Sequence, residues 1–395
     1  MAGACLALYS APSVPSASSA PSPAAASADP LGPYASASKR CRAALEKAQA
    51  LAARGKWKSA FAALDEFDKS NADPYALAMK TNLALKGAAS SAALKSFGFV
   101  DLEEGQDLEE LRQEGAAVAE FPFDPPALAD AQAARGIAAP GVLSKELGDY
   151  YYEAASRFSG KWPMSDEELL SLAIKEYSAA DGRGAMDGES FLKYASSLAF
   201  RGRNAEALRE VDASIAAFGE GEGRVDALAL GAKTAARIGD SAKEAGYYAA
   251  AEKAFPNSPT PGILRLMVAV ESGKGPAAEA AAEGLVAGYG SNPNVVRAIV
   301  STWVAAGEGA TARAFLEGRI ASVKDEGALG ALCFYLAALL AQGSPSDADR
   351  KAALAALDAA AAHLKASGGA NADIYRIMDG IRESLAAPPS ARPRD

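Results

Sequence analysis

The stretch AALEKAQALAARGKWKSAFAALDEFDKSNADP, residues 43–74, decides the fold. It places apolar residues at helical spacing on both sides of Gly55 and ends in a turn closed by Pro74. Ala44, Ala48 and Leu51 precede the glycine by eleven, seven and four residues, and Ala60 and Leu64 follow it by five and nine. That spacing predicts two antiparallel helices joined by a tight turn, one hairpin among others rather than the edge of an active site. Glycine suits the turn because it enters the left-handed region without strain.

The same offsets recur. Around Gly202 they give Phe191, Ala195, Leu198, Ala207 and Val211; around Gly307 they give Val296, Val300, Trp303, Ala312 and Leu316. Gly273 and the upstream side of Gly343 fit as well, and at Gly239 the downstream alanine, Ala245, arrives one residue late. These glycines stand 37, 34, 34 and 36 residues apart (239−202, 273−239, 307−273, 343−307). A period in the mid-thirties means stacked helical hairpins, each shielding its neighbour's apolar face. Small residues such as Ala48, Ala60, Ala195 and Ala207 admit close helix approach. Phe191, Tyr194, Trp303, Tyr335 and Leu339 fill the space between hairpins, and Pro74, Pro256 and Pro293 separate units.

This pattern resembles the tetratricopeptide repeat, most closely in residues 43–74, through Ala48, Gly55, Trp57, Ala60, Leu64, Phe67 and Pro74. SFLKYASSLAFRGRNAEALREVDASIAAF, residues 190–218, follows with Ala195, Gly202, Ala207 and Val211. The resemblance covers about 38–87 and 141–386. It implies an all-α, right-handed α-solenoid of seven or eight hairpins with a C-terminal capping helix, and a protein-interaction scaffold without catalysis of its own. The expected organisation is a tail over 1–38, hairpins over 39–87, an irregular insertion over 88–140 and a solenoid over 141–370. A capping helix over 371–387 and a tail over 388–395 complete it.

Residues 88–140 break the pattern. Seven acids lie between Asp101 and Glu114 against one arginine, which reads as a solvated helix face. FGFV and EFPF read as short strands or extended segments over a groove, and an insertion of this length in a repeat array is a place to look for function. Further on, Ser165 and Glu168 form the pattern of a capping box after a loop at 159–165.

Composition narrows the function. The chain has 395 residues, 50% hydrophobic, and a net charge of −9, which argues against a nucleic-acid footprint. Its single histidine, His363, and three cysteines leave little for metal sites, disulfide frameworks or nucleophile–histidine catalysis. The GKG of VESGKGPAA lacks the rest of a phosphate loop, and DGRGAMDGES reads as a turn rather than a calcium loop. No cofactor, metal or catalytic residue is expected. Partner binding is assigned to residues off the packing stripe of the first helices: Gln49, Lys193, Ser196, Phe200, Lys233, Arg237, Arg297 and Ser301. Their basic, polar and aromatic mixture suits an extended acidic peptide or a helix. The regular Lys/Asn spacing with which some tetratricopeptide proteins clamp a C-terminal carboxylate is not found.

The Ala/Ser/Pro-rich stretch from Ser10 to Ser38 reads as a disordered tether. AGAC ahead of it resembles the end of a bacterial lipoprotein signal, which implies a lipid on Cys5 and a cell-envelope location. A charged start and a full apolar stretch are missing ahead of Cys5, and a start assigned too far downstream would account for that. The alternatives are a cytoplasmic adaptor, and an accessory component that binds a ligand in a closed apolar pocket between the insertion and the superhelix.

Overall fold

The computed structural model describes residues 31–115, 117–221, 223–342, 345–368 and 372–386. Residues 1–30 of the tail, with Cys5, and the anchor Gly343 lie outside the described residues; the last part of the stretch read as a tether is instead ordered, with Leu31, Tyr34 and Ala37 buried and Ser38 capping the first helix. The chain forms two compact units, Met1–Ala227 and Leu228–Asp395. The division falls within the stretch 141–370 that the sequence presents as one array.

In the first unit, α1 (Lys39–Ala52) and α2 (Trp57–Phe67) form the opening hairpin, followed by α3 (Pro74–Gly87). Then come β1 (Ser90–Ala92), β2 (Ser96–Gly98), α4 (Leu108–Gln113), β3 (Phe121–Pro122) and α5 (Pro125–Ala134). The regular hairpins α6 (Gly141–Arg157) with α7 (Asp166–Asp181) and α8 (Gly188–Phe200) with α9 (Asn204–Phe218) follow. The next helix, α10 (Arg224–Ile238), crosses the division and turns into α11 (Ser241–Ala254). The second unit continues with α12 (Thr260–Glu271) and α13 (Gly275–Tyr289), then α14 (Pro293–Ala305) and α15 (Gly309–Ile320). The long pair α16 (Glu326–Leu340) and α17 (Asp347–Ala366) precedes α18 (Ala372–Ala386), which packs on α17 with Met378 and Leu385 buried. The fold class is the expected all-α solenoid of helical hairpins.

The anchor glycines behave as their spacing requires. Gly55, Gly202, Gly239, Gly273 and Gly307 all have φ between +65° and +79°. In each case the following amide donates back to the carbonyl five residues upstream, Lys56 to Leu51 and Arg203 to Leu198 among them, at 2.8–3.0 Å. This closes the first helix with a Schellman-type bond. The second helix starts two residues after every anchor. Ala60, Ala207 and Ala312 are then fully buried where the helices cross. One expectation is corrected: Ala245 is exposed, and the slot belongs to Glu244, which accepts from Tyr248 and Lys274. Closure there comes from Tyr247 lying over Gly231, where an added Cβ would stand 2.7–2.9 Å from the ring.

Within each unit, first helices stack on first helices: α1 on α3, α3 on α6, α6 on α8, α12 on α14 and α14 on α16. Helix α3 starts 35 residues after α1 (74−39), so it is the first helix of a second hairpin. Helix α5 packs against α3 as its partner. The expected irregular stretch of 88–140 is therefore shorter as an insertion: residues 88–124 replace a turn, and α5 rejoins the repeat. The pattern hides α5 because Pro125 and Pro126 open it and few large apolar residues follow. The insertion folds as an antiparallel sheet, β1-β2-β3, with Phe97 opposite Phe121. The capping box at Ser165 and Glu168 forms as read.

Two glycine substitutions separate backbone from packing. Gly202→Ala meets open space but holds φ at +73°, so it should destabilise by about 1 kcal/mol. Gly246→Ala, in the open interior of α11, should stabilise by about 1 kcal/mol. Urea midpoints of the two variants, moving in opposite directions, check this.

A candidate docking groove between the first two hairpins

The opening stretch does more than close a hairpin. Segment 100–102 of the insertion is stapled to its turn. Leu102 donates to the Gly55 carbonyl (2.9 Å), Lys58 to Val100 (3.2 Å), and the Lys56 ammonium to Leu102 (2.9 Å). The Asp101 carboxylate accepts from the Ser59 amide (3.0 Å) and hydroxyl (2.6 Å). Burial alone would raise the Asp101 carboxyl, but the Ser59 bonds and the Lys56 charge outweigh it and hold it below the usual range. Asp101 thus departs from the solvated acidic face expected of 101–114, while Asp107 caps α4 and the remaining five acids are exposed.

Held this way, the sheet sets a cluster of rings against α2. Phe61 stacks on Phe99 (4.9 Å) and meets Phe121 (5.0 Å) and Phe123 (5.3 Å, edge-on). The sheet turns at Ala93 and Leu94, both in the left-handed region. Leu94 is buried there and its carbonyl accepts the Tyr150 hydroxyl at 2.8 Å. Between α2, α3, the sheet and α5 an open groove of about 680 Å³ remains.

Lys80, 1% exposed, lines that groove. Its ammonium is 3.0 Å from Asp65 Oδ1 and 3.0 Å from Asn71 Oδ1, with the Phe61 ring centroid at 5.9 Å. Asn71 has φ +49° and is pinned: its carbonyl accepts from Gln132 (3.0 Å) and Arg135 (2.7 Å) of the α5 segment. Asp68 holds the same loop through the amides of Ala72 and Asp73. A strained residue fixed from two sides aims its side chain at one buried cation. Lys58 and Lys95 are exposed at the rim, and Asp124 is engaged as the α5 N-cap. Sequence reasoning foresaw a groove here but none of these polar residues. The only available signal was a lysine in an apolar helix, and its burial depends on partners distant in the chain.

The partner-binding residues named from the sequence divide between the units: Gln49, Lys193, Ser196 and Phe200 in the first, Lys233, Arg237, Arg297 and Ser301 in the second. Gln49 and Ser196 are half-buried, Arg237 and Ser301 are exposed, and Phe200 is 39% exposed. Lys233 pairs with Glu271 (2.6 Å), and the Arg297 Nε is buried without a hydrogen-bond partner. Lys193 is held by Glu189 (2.8 Å), Asp149 (3.6 Å) and Glu153 (3.6 Å). Buried Asp149 is the hub of an ionic network across α6, α7 and α8. It also accepts from Tyr177 (2.8 Å), Ser190 (3.4 Å) and Lys145 (3.3 Å). Lys145 pairs with Glu146 (3.0 Å), which accepts from Asn82 of α3. Burial pushes the Glu146 carboxyl above its usual range even against Lys145.

Among the described residues no group of His, Cys, Asp and Glu is arranged to hold a metal, and no helix is long and apolar enough to cross a membrane. Cys41 and Cys333 are buried free thiols, and burial pushes Cys41 up to about 12. His363 lies on α17 with Nδ1 2.6 Å from Glu326.

No protein-family model and no curated protein matches the chain. Solved structures similar to it include a tetratricopeptide repeat protein from Parabacteroides merdae, at 12% identity over 89% of this chain and 100% of that one, TM-score 0.36. The TPR2AB domain of yeast Sti1 in complex with pHSP90 aligns at 14% identity over 62% and 98%, TM-score 0.22. A human IFIT1 dimer with m7Gppp-AAAA aligns at 12% over 86% and 71%, TM-score 0.30. These superpositions are loose, and the all-α repeat fold stands on the chain's own hairpins.

Two variants probe these contacts. Lys193→Met should destabilise by about 1 kcal/mol, because buried Asp149 loses one of its two lysine partners and keeps Lys145. Asp101→Asn should cost about 1 kcal/mol near neutral pH. Its folded-state carboxyl titrates below the unfolded one, so its contribution is present above about pH 4 and is lost as pH falls through the folded value. Melting curves of wild type and Asp101→Asn should therefore differ at neutral pH and converge in acid.

Proposed function

We propose that this chain is a non-catalytic protein-interaction module, and that the groove between α2 and α5 is its partner-binding site. The groove carries the reading. It is lined by aromatic rings and lysines, it lies between two repeat hairpins, and it is half-open to solvent. A pocket for a small ligand surrounds most of its guest. An open groove of this size suits a few residues of a partner chain whose remainder lies outside. The accessory ligand-binding reading places its pocket in the same location, but the pocket it requires is closed.

The exposed cationic and polar residues of the first helices, Arg237 and Ser301 among them, form a competing surface. The small residues ahead of Cys5 and the Ala/Ser/Pro stretch after it support an envelope tether for the module. Fatty-acid labelling of the native protein, lost on Cys5→Ser, tests the tether; absence of label removes it.

Ala62 is exposed and lines the groove, so Ala62→Arg fills it without touching the core. Affinity capture from the native host with quantitative mass spectrometry should show partners lost from Ala62→Arg and retained by Ser301→Arg. The reverse pattern would move the binding site to the first-helix surface.

A further inference from the structure

An ammonium offers three donors, and only two of those of Lys80 are used among the described residues, by Asp65 and Asn71. The third has no acceptor among the described residues; Lys80 lines the groove, with its Nζ 5.9 Å from the Phe61 ring centroid. The two neighbours differ: Asn71 is neutral, and Asp65 is 63% exposed, so its charge is screened by water. Asp124 spends its carboxylate on the α5 N-terminus. Lys58, Lys80 and Lys95 against Asp65 and Asp124 leave the lining with one positive charge in excess (3−2). The most buried of these charges is the cation. Around it the walls are apolar: Phe61, Phe99, Phe121, Pro122, Phe123 and Leu128.

We infer that the groove reads an acidic side chain adjacent to an apolar one on an extended segment of a partner protein. The carboxylate meets the free donor of Lys80 and the apolar neighbour packs on the Phe61–Phe121 wall. This rests on the groove being the partner site. A buried cation with a vacant donor discriminates an acid from its amide, whereas an apolar groove alone treats the two alike. The rim lysines draw the same partner electrostatically, but exposed and salt-screened they contribute less to the discrimination.

The test uses the full chain and two capped peptides, acetyl-Ala-Phe-Asp-Leu-Ala-amide and its Asp→Asn counterpart, titrated by calorimetry and by two-dimensional NMR. The Asp peptide is expected to bind about five- to tenfold more tightly, the scale of one charge-assisted contact in a half-open site. Lys80→Met should abolish that preference; it leaves only the exposed Asp65 and the half-buried Asn71 without their cation. Asp65→Asn, a surface change independent of any folding defect at Lys80, should strengthen Asp-peptide binding. Equal binding of both peptides, with groove signals shifting, overturns the acidic preference and leaves the groove reading intact. Peptides that shift no signal from Phe61, Lys80 or Phe121 overturn both.

Discussion

A helix pair with one apolar face cannot stand alone in water, so every hairpin of this chain depends on how closely its two helices approach. In the hairpins built on Gly55, Gly202, Gly239, Gly273 and Gly307 that approach is set at one place, the left-handed glycine between the helices. The next amide bonds back to a carbonyl five residues upstream, which ends the first helix at a fixed point and starts the second two residues later. The crossing then falls on a small side chain at Ala60, Ala207 and Ala312. Where Glu244 takes that slot, the contact migrates to Tyr247 over Gly231, and the turn itself is unchanged. Among these hairpins the turn, more than any one packing residue, is the invariant.

The second hairpin shows what happens when the turn is replaced. Residues 88–124 stand between α3 and α5, and the sheet they form sets rings from both sides against Phe61. Main-chain bonds to Gly55 and Lys58 and the Asp101–Ser59 pair tie the insertion to the neighbouring hairpin. Polar groups then occupy positions that helices otherwise fill, and Lys80 is buried with part of its bonding capacity unused. Nearby, the Asp149 network joins α6, α7 and α8, and Glu146 extends it to α3. Such networks are costly unless complete, and this one draws its partners from four helices.

Much of the repeat was legible because its signals are local. A glycine with alanines and leucines at fixed offsets reports its own hairpin, and so does the capping box at Ser165. The parts that escaped depend on distant partners. Nothing in ALKS marks Ala93 and Leu94 for left-handed backbone; Tyr150 and the core beneath Leu94 hold them there. Lysine at 80 reads as a surface residue until Asp65, Asn71 and Phe61 surround it. Lys193 shows the converse: its helical position marked it for a partner surface, and three carboxylates of its own chain already hold it. Helix α5 was hidden by its two prolines, although its pairing with α3 restores the period.

The placement of 88–124 has an architectural consequence. It occupies the connection between the two helices of one hairpin, with its buried residues in the shared core and exposed ones lining the groove. Substitutions confined to its exposed residues, such as Lys95, would therefore alter what the module recognises while the stacked framework carrying it stayed the same.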